Sequence, residues 1–268
     1  MGRQDLTIKA LIIGDSHATP QSPNRRFEWL GNFIVEQQPD VIINCGDMAD
    51  MSTLSSYDKG TKAAWGKTYK ADVASVRDAQ AKLFGPTQKY NNTQGKKKKA
   101  GYHPHTIHTL GNHDDGRYNT FISKNPEFSE HISIDDLEYG RYWNDVIPYL
   151  DVATYSGVSF SHFFYNKSQR YPIPSAKAVL AHNHCSSVWG HTHAFDYYMT
   201  YSISGRRLIA LNPGCFLDPI DRGDTYNYTG GQGDTRWWNG VTMLHDLNEW
   251  GEFDVEQISA ERLQRDYG

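Results

Sequence analysis

The stretch TIKALIIGDSH, residues 7–17, decides the fold of this chain. Its first seven residues are apolar or β-branched apart from one lysine, which is typical of a buried strand. The run stops at Gly14, and Asp15, Ser16 and His17 come next. The sequence therefore predicts a carboxylate and an imidazole at the carboxyl end of the first strand.

A second strand ends in the same way. Apolar residues recur at helical spacing over residues 25–38, a Pro-Asp pair stops that helix, and a second strand-like run, residues 41–44, leads to Gly46 and Asp47. A strand, a crossover helix and a second strand predict parallel pairing, with the loops gathered at the carboxyl ends of the strands. We therefore expect functional groups at this edge.

Three more polar motifs accompany strand-like runs. Residues 106–110 precede Gly-Asn-His-Asp at 111–114, residues 158–164 contain His162, and residues 187–189 precede Gly-His-Thr-His at 190–193. Strand ends at one edge would bring carboxylates, imidazoles and one amide oxygen together around cations, and such mixed donor sets suit Mn, Fe, Zn or Ni. The series predicts a dinuclear metal site.

The remaining segments predict further elements. Helical spacing over residues 61–84 indicates a helix in the long segment 51–105, followed by a polar loop that ends in the four-lysine run, residues 96–99. Such a run is typical of a solvated tip, and the alternative is contact with polynucleotide phosphates. Other predicted helices cover residues 128–143 and 175–184, and other predicted strands cover residues 197–203, 207–211, 241–247 and 252–258.

Composition fits one domain in a reducing compartment. The 268 residues are 38% hydrophobic, enough for one large core. No run has the length and apolarity of a membrane span or a signal peptide, and the three cysteines lack CxxC spacing, so we expect a cytoplasmic protein with reduced thiols. A net charge of −4 gives no global attraction for nucleic acid.

The order of the motifs resembles the calcineurin-like metallophosphoesterase superfamily, whose pattern is DxH, GD, GNH(D/E), a lone His and GHxH. The match runs from Asp15 to His193. The resemblance implies an α/β fold, a two-sheet α-β-β-α sandwich with a dinuclear metal site at the strand ends. We expect a single domain with a helical and loop insertion at about residues 51–105.

The resemblance also implies the metal ligands. One metal would bind Asp15, His17 and His193, a second would bind Asn112, His162 and His191, and Asp47 would bridge them. Mn is favoured, with Fe, Zn or Ni as alternatives, and a hydroxide between the two ions would attack the phosphorus. For the lone histidine, His162 is preferred over His182 and His184, which fall on a predicted helix rather than at a strand end.

His113 is the motif histidine without a ligand role. In the family it faces the leaving oxygen or helps to bind phosphate, so His113 would either donate a proton or contact the phosphate. Asp114 is the expected orienting partner of His113 in catalysis. Asn112 and His113 are also expected to contact the substrate.

Three candidates lie outside the motifs. Arg170 follows His162 in a loop that must pass near the metals, and it is a candidate phosphate contact. Trp237 and Trp238 could stack on a base, although aromatic residues that open a C-terminal strand are more often part of the core.

Residues that follow the Gly-Asp and Gly-His-Thr-His motifs indicate which subfamilies the chain resembles. Residues 48–51 lack the tyrosine ligand of purple acid phosphatases and the arginine of calcineurin-type protein phosphatases, whereas Leu-Asn-Pro-Gly at 211–214 resembles small bacterial and viral phosphodiesterases. We therefore expect a phosphodiesterase or nuclease that acts on DNA, RNA or nucleotide-derived diesters. The alternatives are a phosphomonoesterase for nucleotides or phosphoproteins, and a non-catalytic scaffold, which the intact ligand set disfavours. We expect neither membrane association nor an obligate protein partner.

Overall fold

The computed structural model describes residues 8–56, 59–166, 171–219 and 237–268. In those ranges the helices are α1 (Arg25–Gln37), α2 (Tyr69–Lys96), α3 (Arg117–Lys124), α4 (Ala176–Asn183) and α5 (Ala260–Tyr267). The strands are β1 (Ile8–Ile13), β2 (Val41–Asn44), β3 (His105–Thr109), β4 (Asp145–Ile147), β5 (Ala153–Tyr155), β6 (Val158–Ser161), β7 (Tyr165–Asn166), β8 (Tyr171–Pro172), β9 (Ser187–Trp189), β10 (Phe195–Tyr201), β11 (Arg207–Pro213), β12 (Gly240–Leu247) and β13 (Asp254–Ser259).

Two sheets hold most of these strands. The first has the order β13-β12-β1-β2-β3-β4, in which β1 to β4 are parallel and β12 and β13 are antiparallel to their neighbours. The second has the order β10-β11-β9-β6-β5, with β9 parallel to both β11 and β6. The predicted parallel start, β1-α1-β2, is confirmed.

Side-chain alternation along β1 separates the layers of the core. Ala10 and Ile12 pack between the two sheets, whereas Leu11 and Ile13 pack on the opposite face against helices α1, α2 and α5. Helix α4 covers the outer face of the second sheet, where Val179 joins a separate apolar cluster. The predicted α-β-β-α sandwich is confirmed.

Helix α2 is placed differently from the prediction. It begins at Tyr69, where the Thr68 hydroxyl caps the first turn, and it ends at Lys96. The predicted polar loop over residues 90–95 is wrong, because those residues are helical. The side chain of Asn91 bonds to both the N–H and the carbonyl of Tyr102, and these tertiary bonds support the last helical turns.

The predicted helix over residues 128–143 is also wrong. Short 3-10 turns occupy that segment, at Ile134–Leu137 and Tyr139–Arg141. Glu138 between them has left-handed backbone, with φ 56°. Asp136 accepts a hydrogen bond from Tyr69, and the Tyr139 hydroxyl donates to Asp114, so contacts with distant residues override the helical spacing. Helices α3 and α5 were not predicted.

Among the described residues, no helix combines the length and apolarity needed to span a membrane. None of Cys45, Cys185 and Cys215 forms a disulfide, and Cys45 and Cys215 are buried.

Candidate metal centre

Residues that follow strands of both sheets meet at one edge of the sandwich. Asp15 and His17 follow β1, Asp47 follows β2, Asn112 and His113 follow β3, His162 follows β6, and His191 and His193 follow β9. Backbone hydrogen bonds connect the loops within each sheet: His17 N donates to Asp47 O over 2.9 Å, and Gly190 N donates to His162 O over 2.9 Å. The seven predicted metal ligands are therefore brought together.

The first cluster consists of Asp15, His17 and His193. The Nε2 atoms of His17 and His193 lie 3.0 Å apart, and Nε2 of His193 lies 3.1 Å from Oδ2 of Asp15. The other Asp15 oxygen accepts the backbone N–H of His191 over 2.8 Å. This bond fixes the carboxylate so that its second oxygen faces the imidazoles.

The second cluster consists of Asp47, Asn112, His162 and His191. Nε2 of His162 lies 2.8 Å from Oδ1 of Asn112, 3.2 Å from Nδ1 of His191 and 3.4 Å from Oδ2 of Asp47. His162 Nδ1 donates to the carbonyl of Cys45 over 2.9 Å, which leaves Nε2 free to act as a ligand.

The competing histidines lie elsewhere. His182 and His184 are exposed at the end of α4, and His184 is its C-cap. His162, by contrast, is buried immediately after β6. The structure therefore places His162, and neither competitor, in the second cluster.

One oxygen of Asp47 faces both clusters. Oδ2 lies 3.4 Å from Nε2 of His162 and 4.0 Å from Nε2 of His17, while Oδ1 accepts the backbone N–H of His113 over 2.8 Å. A Cβ atom on Gly111 would overlap this carboxylate, and one on Gly46 would come within 2.5 Å of the His162 ring. Both glycines therefore keep space for ligand side chains.

Burial sets the protonation of these groups. It lowers the pKa of His17 to about 3, with His113 adding to the effect, and the pKa of His191 to about 4, with His162 adding to it. Both imidazoles are therefore neutral at pH 7, which is the form that binds a metal. Burial also raises the pKa of Asp47 well above its usual value, so ionising this carboxylate calls for a nearby cation.

The donor atoms fit divalent ions. With metal–nitrogen distances of about 2.1 Å, adjacent ligands of a tetrahedral or octahedral ion lie roughly 3.0–3.4 Å apart. The nitrogen–nitrogen separations, 3.0 Å in the first cluster and 3.2 Å in the second, lie in this range. In the first cluster, the donor atoms of Asp15, His17 and His193 all lie within 4.8 Å of one another. The same holds in the second cluster for Asp47, His162 and His191.

Four of the proposed ligands have left-handed backbone. The φ values are 42° for His17, 49° for Asp47, 73° for His191 and 59° for His193. Residues with a Cβ atom rarely adopt this region, and each instance costs about 1–3 kcal/mol. The surrounding structure therefore holds these residues in conformations that turn their side chains towards a common point.

Asp50 is a site residue that the sequence analysis missed. Its Oδ1 atom lies 3.0 Å from Nδ1 of His113, and its signal in the sequence is its position three residues after Asp47. Burial acts to raise the pKa of Asp50, but contacts with His113, His17 and Arg117 hold it well below the usual value. Asp50 is therefore an ionised carboxylate beside the His113 ring.

Asp114 has a different position from the one expected. Its buried carboxylate accepts the backbone N–H of Ala49 over 2.8 Å and the hydroxyl of Tyr139 over 2.6 Å. Asp114 therefore supports the turn after Asp47. The interpretation of Asp114 as the orienting partner of His113 is wrong, because Asp50 occupies that position.

The structure describes two of the three candidate residues outside the motifs. Arg170 lies outside the described residues. Trp237 lies edge-on to His193, with ring centres 4.4 Å apart, while Trp238 lies 6.1 Å from Phe195. Trp237 therefore borders the first cluster.

An α-β-β-α sandwich that collects buried carboxylates and imidazoles at its strand ends has the donor groups of a metal-binding protein. The family model for calcineurin-like phosphoesterases matches residues 8–240. The chain belongs to this family, and its class of reaction is metal-dependent phosphoester hydrolysis.

Solved structures resemble the chain weakly. A conserved uncharacterised protein from Streptococcus pneumoniae, described as a predicted phosphoesterase, is 12% identical with a TM-score of 0.37, over 95% of this chain and 91% of that one. A second solved structure is 12% identical with a TM-score of 0.41, over 95% of this chain and 100% of that one. A search of curated proteins gave no significant match.

Proposed function

We propose that this protein hydrolyses phosphodiesters, with nucleic acid or nucleotide-derived diesters as substrates. The observation that carries the proposal is the Asp47 oxygen that faces both ligand clusters, with the ring of His113 beside it. Nε2 of His113 lies 4.0 Å from that oxygen. A phosphoryl group at this edge would therefore contact both the ligand clusters and His113.

Two divalent ions fit the clusters. The first would be held by Asp15, His17 and His193, the second by Asn112, His162 and His191, with Asp47 shared. When bound, such ions activate water and neutralise charge on the phosphoryl group. Oxygen and imidazole donors without sulfur favour Mn, with Fe, Zn and Ni as alternatives.

His113 and Asp50 form the acid–base part of the site. Nδ1 of His113 donates a hydrogen bond to the ionised Asp50 carboxylate. The other ring nitrogen, Nε2, faces the clusters and lies 4.0 Å from the Asp47 oxygen. When the ring is doubly protonated, Nε2–H can donate to the leaving oxygen, and Asp50 stabilises the positive charge. Asn112 presents its amide beside the same space.

The preference for a base-bearing diester rests on Trp237. Its ring borders His193 at the edge of the first cluster, and it is only half-buried. Aromatic faces beside a phosphate site stack on nucleobases, whatever the base. We also propose a cytoplasmic location, supported by three cysteines that form no disulfide, and a protein that acts without an obligate protein partner.

A hydrolysis panel with Mn(II) tests the proposed function. The substrates are a bis-aryl phosphate, an aryl phosphate, cyclic mononucleotides, single- and double-stranded DNA, and RNA. Asp47→Asn protein purified in parallel controls for contaminating hydrolases. We expect the diesters to be cleaved faster than the aryl phosphate. Cleavage of the aryl phosphate alone would indicate a phosphomonoesterase, and metal binding without any hydrolysis would indicate a scaffold.

A further inference from the structure

Arg117 borders the site and has no role in the function described so far. It is the first residue of α3 and follows His113 by four positions, so the two side chains lie on one face of the helical turn. Its Nη2 atom lies 3.5 Å from Nε2 of His113. Its Nη1 atom donates to the backbone carbonyl of Asp50 and lies 3.6 Å from the Asp50 carboxylate.

Arg117 and His113 form the outer layer of the site. Their side chains are 15% and 12% exposed, whereas those of Asp47 and Asp15 are 2% and 0% exposed. A substrate that arrives from solvent therefore meets these two side chains together with the deeper ligands.

The charge of Arg117 is unusual at this place. Asp15 and Asp47 belong to the clusters and Asp50 lies beside them, and the guanidinium of Arg117 contacts both His113 and Asp50. A guanidinium carries five N–H donors; Nη1 of Arg117 is engaged by Asp50, whereas the 3.5 Å separation between Nη2 and Nε2 of His113 is too long to commit a donor. Donors therefore remain for an anion beside His113.

We propose that Arg117 binds a nonbridging oxygen of the substrate phosphoryl group. A guanidinium suits this task because its planar donors match phosphate oxygens and its charge persists at every working pH. Arg117 would hold the phosphoryl group against His113 and reduce the negative charge that builds up during attack. This inference rests on the proposed function, since it concerns the same site.

The competing explanation is that Arg117 only holds Asp50 in place. The two explanations predict different effects of Arg117→Ala on phosphate affinity in a protein that already carries Asp50→Asn. A role that works through the Asp50 carboxylate disappears in an Asp50→Asn background, because that carboxylate is gone while the bond to the backbone carbonyl remains. A direct phosphate contact persists in that background.

Binding of inorganic phosphate to the Mn(II)-loaded protein, measured by calorimetry, separates these explanations without requiring turnover. We expect Arg117→Ala to weaken phosphate binding roughly 10- to 100-fold, the range expected for one hydrogen bond to a charged group. Arg117→Lys should recover part of the loss. Lys124→Ala, at an exposed position of the same helix, is the matched control and should bind phosphate normally.

The same measurement in the Asp50→Asn background decides the outcome. We expect Arg117→Ala to weaken phosphate binding there by a similar factor, with two metal ions per chain in every variant. Unchanged phosphate affinity in Arg117→Ala, or a loss that disappears in the Asp50→Asn background, would overturn the inference. Failure of the wild-type protein to hydrolyse any phosphoester would overturn the proposed function instead, because phosphate binding is measured independently.

Discussion

Asp47 offers the sharpest test at the scale of single residues, because one of its oxygens faces both clusters. In Asp47→Ala the shared ligand is lost, so we expect the protein to bind at least one ion fewer per chain and to lose most of its activity. Metal content after dialysis, measured by elemental analysis, checks this. Asp151→Ala, at an exposed position, is the control. Two ions and full activity in Asp47→Ala would contradict the dinuclear assignment.

His113 should separate proton donation from metal binding. We expect His113→Ala to retain both ions and to lose about 10²- to 10⁴-fold in turnover, with a smaller loss for an aryl leaving group than for an alkyl one, which needs protonation. Asp50→Asn should show the same pattern with a smaller loss. Rates on matched aryl and alkyl diesters measure it. If both substrates lose equally, His113 binds phosphate without donating a proton.

We expect Asp114 to stabilise the fold and to take no direct part in catalysis. Asp114→Ala leaves the buried N–H of Ala49 and the hydroxyl of Tyr139 without their acceptor, and we expect it to lower the free energy of unfolding by about 3 kcal/mol. Tyr139→Phe removes one of these bonds and should cost about 1 kcal/mol. Denaturant unfolding of the apoprotein measures both changes. An Asp114→Ala protein as stable as wild type would exclude this role.

At the scale of elements, the four-lysine run lies at the wrong end of the sheet to meet a phosphate at the metals. Lys96 ends α2, and the adjoining Tyr102 donates its hydroxyl to the carbonyl of Pro39, just before β2. The run is therefore near the amino ends of β2 and β3, whereas the clusters lie at their carboxyl ends. The five residues of β3 separate these edges by about 16 Å.

We therefore expect the four-lysine run to be a solvated helix end. Positive charge is favourable there because it complements the helix dipole. Changing all four lysines to serine should leave hydrolysis of a small aryl diester unchanged, and should leave the salt dependence of DNA binding close to that of wild type. These lysines would instead be shown to contact phosphates if the slope of log affinity against log salt concentration were about three to four smaller in magnitude in the variant than in wild type.

Elements with regular periodicity were predictable, and elements decided by distant contacts were not. The apolar and β-branched run of β1, the helical spacing of α1 and the apolar run of β2 predicted a parallel start that the structure has. The end of α2 depends on Asn91 and Tyr102, and the turn at Tyr139 depends on Asp114; neither contact leaves a local pattern.

The same distinction holds within the candidate site. Strand-end position favoured His162 over His182 and His184, and the family resemblance placed His162 with His191, which the structure brings together. Strand-end position could not assign Asp50 and Asp114, because both follow motif residues closely and only the fold decides which carboxylate reaches His113. Left-handed backbone at His17 was equally invisible in the sequence, since no glycine marks that position.

At the scale of the whole molecule, each cluster draws on both sheets. In the first cluster, Asp15 and His17 come from the first sheet and His193 from the second. In the second cluster, Asp47 comes from the first sheet, and His162 and His191 come from the second. Ions held by these residues would therefore join the two sheets across the core.

Such ions would act as removable crosslinks along one seam of the sandwich. Because they bind the folded state, loading should raise the melting temperature, and chelation should lower it. Hydrogen exchange should also become uneven after chelation. We expect amides near His17 and His191 to exchange faster, while amides of β2 near Val41, at the far end of the seam, keep their protection. Uniform acceleration along β2 would mean that the ions stabilise the molecule as a whole. An uneven response would mean that, once the ions are removed, the two sheets separate first at the edge that carries the ligands.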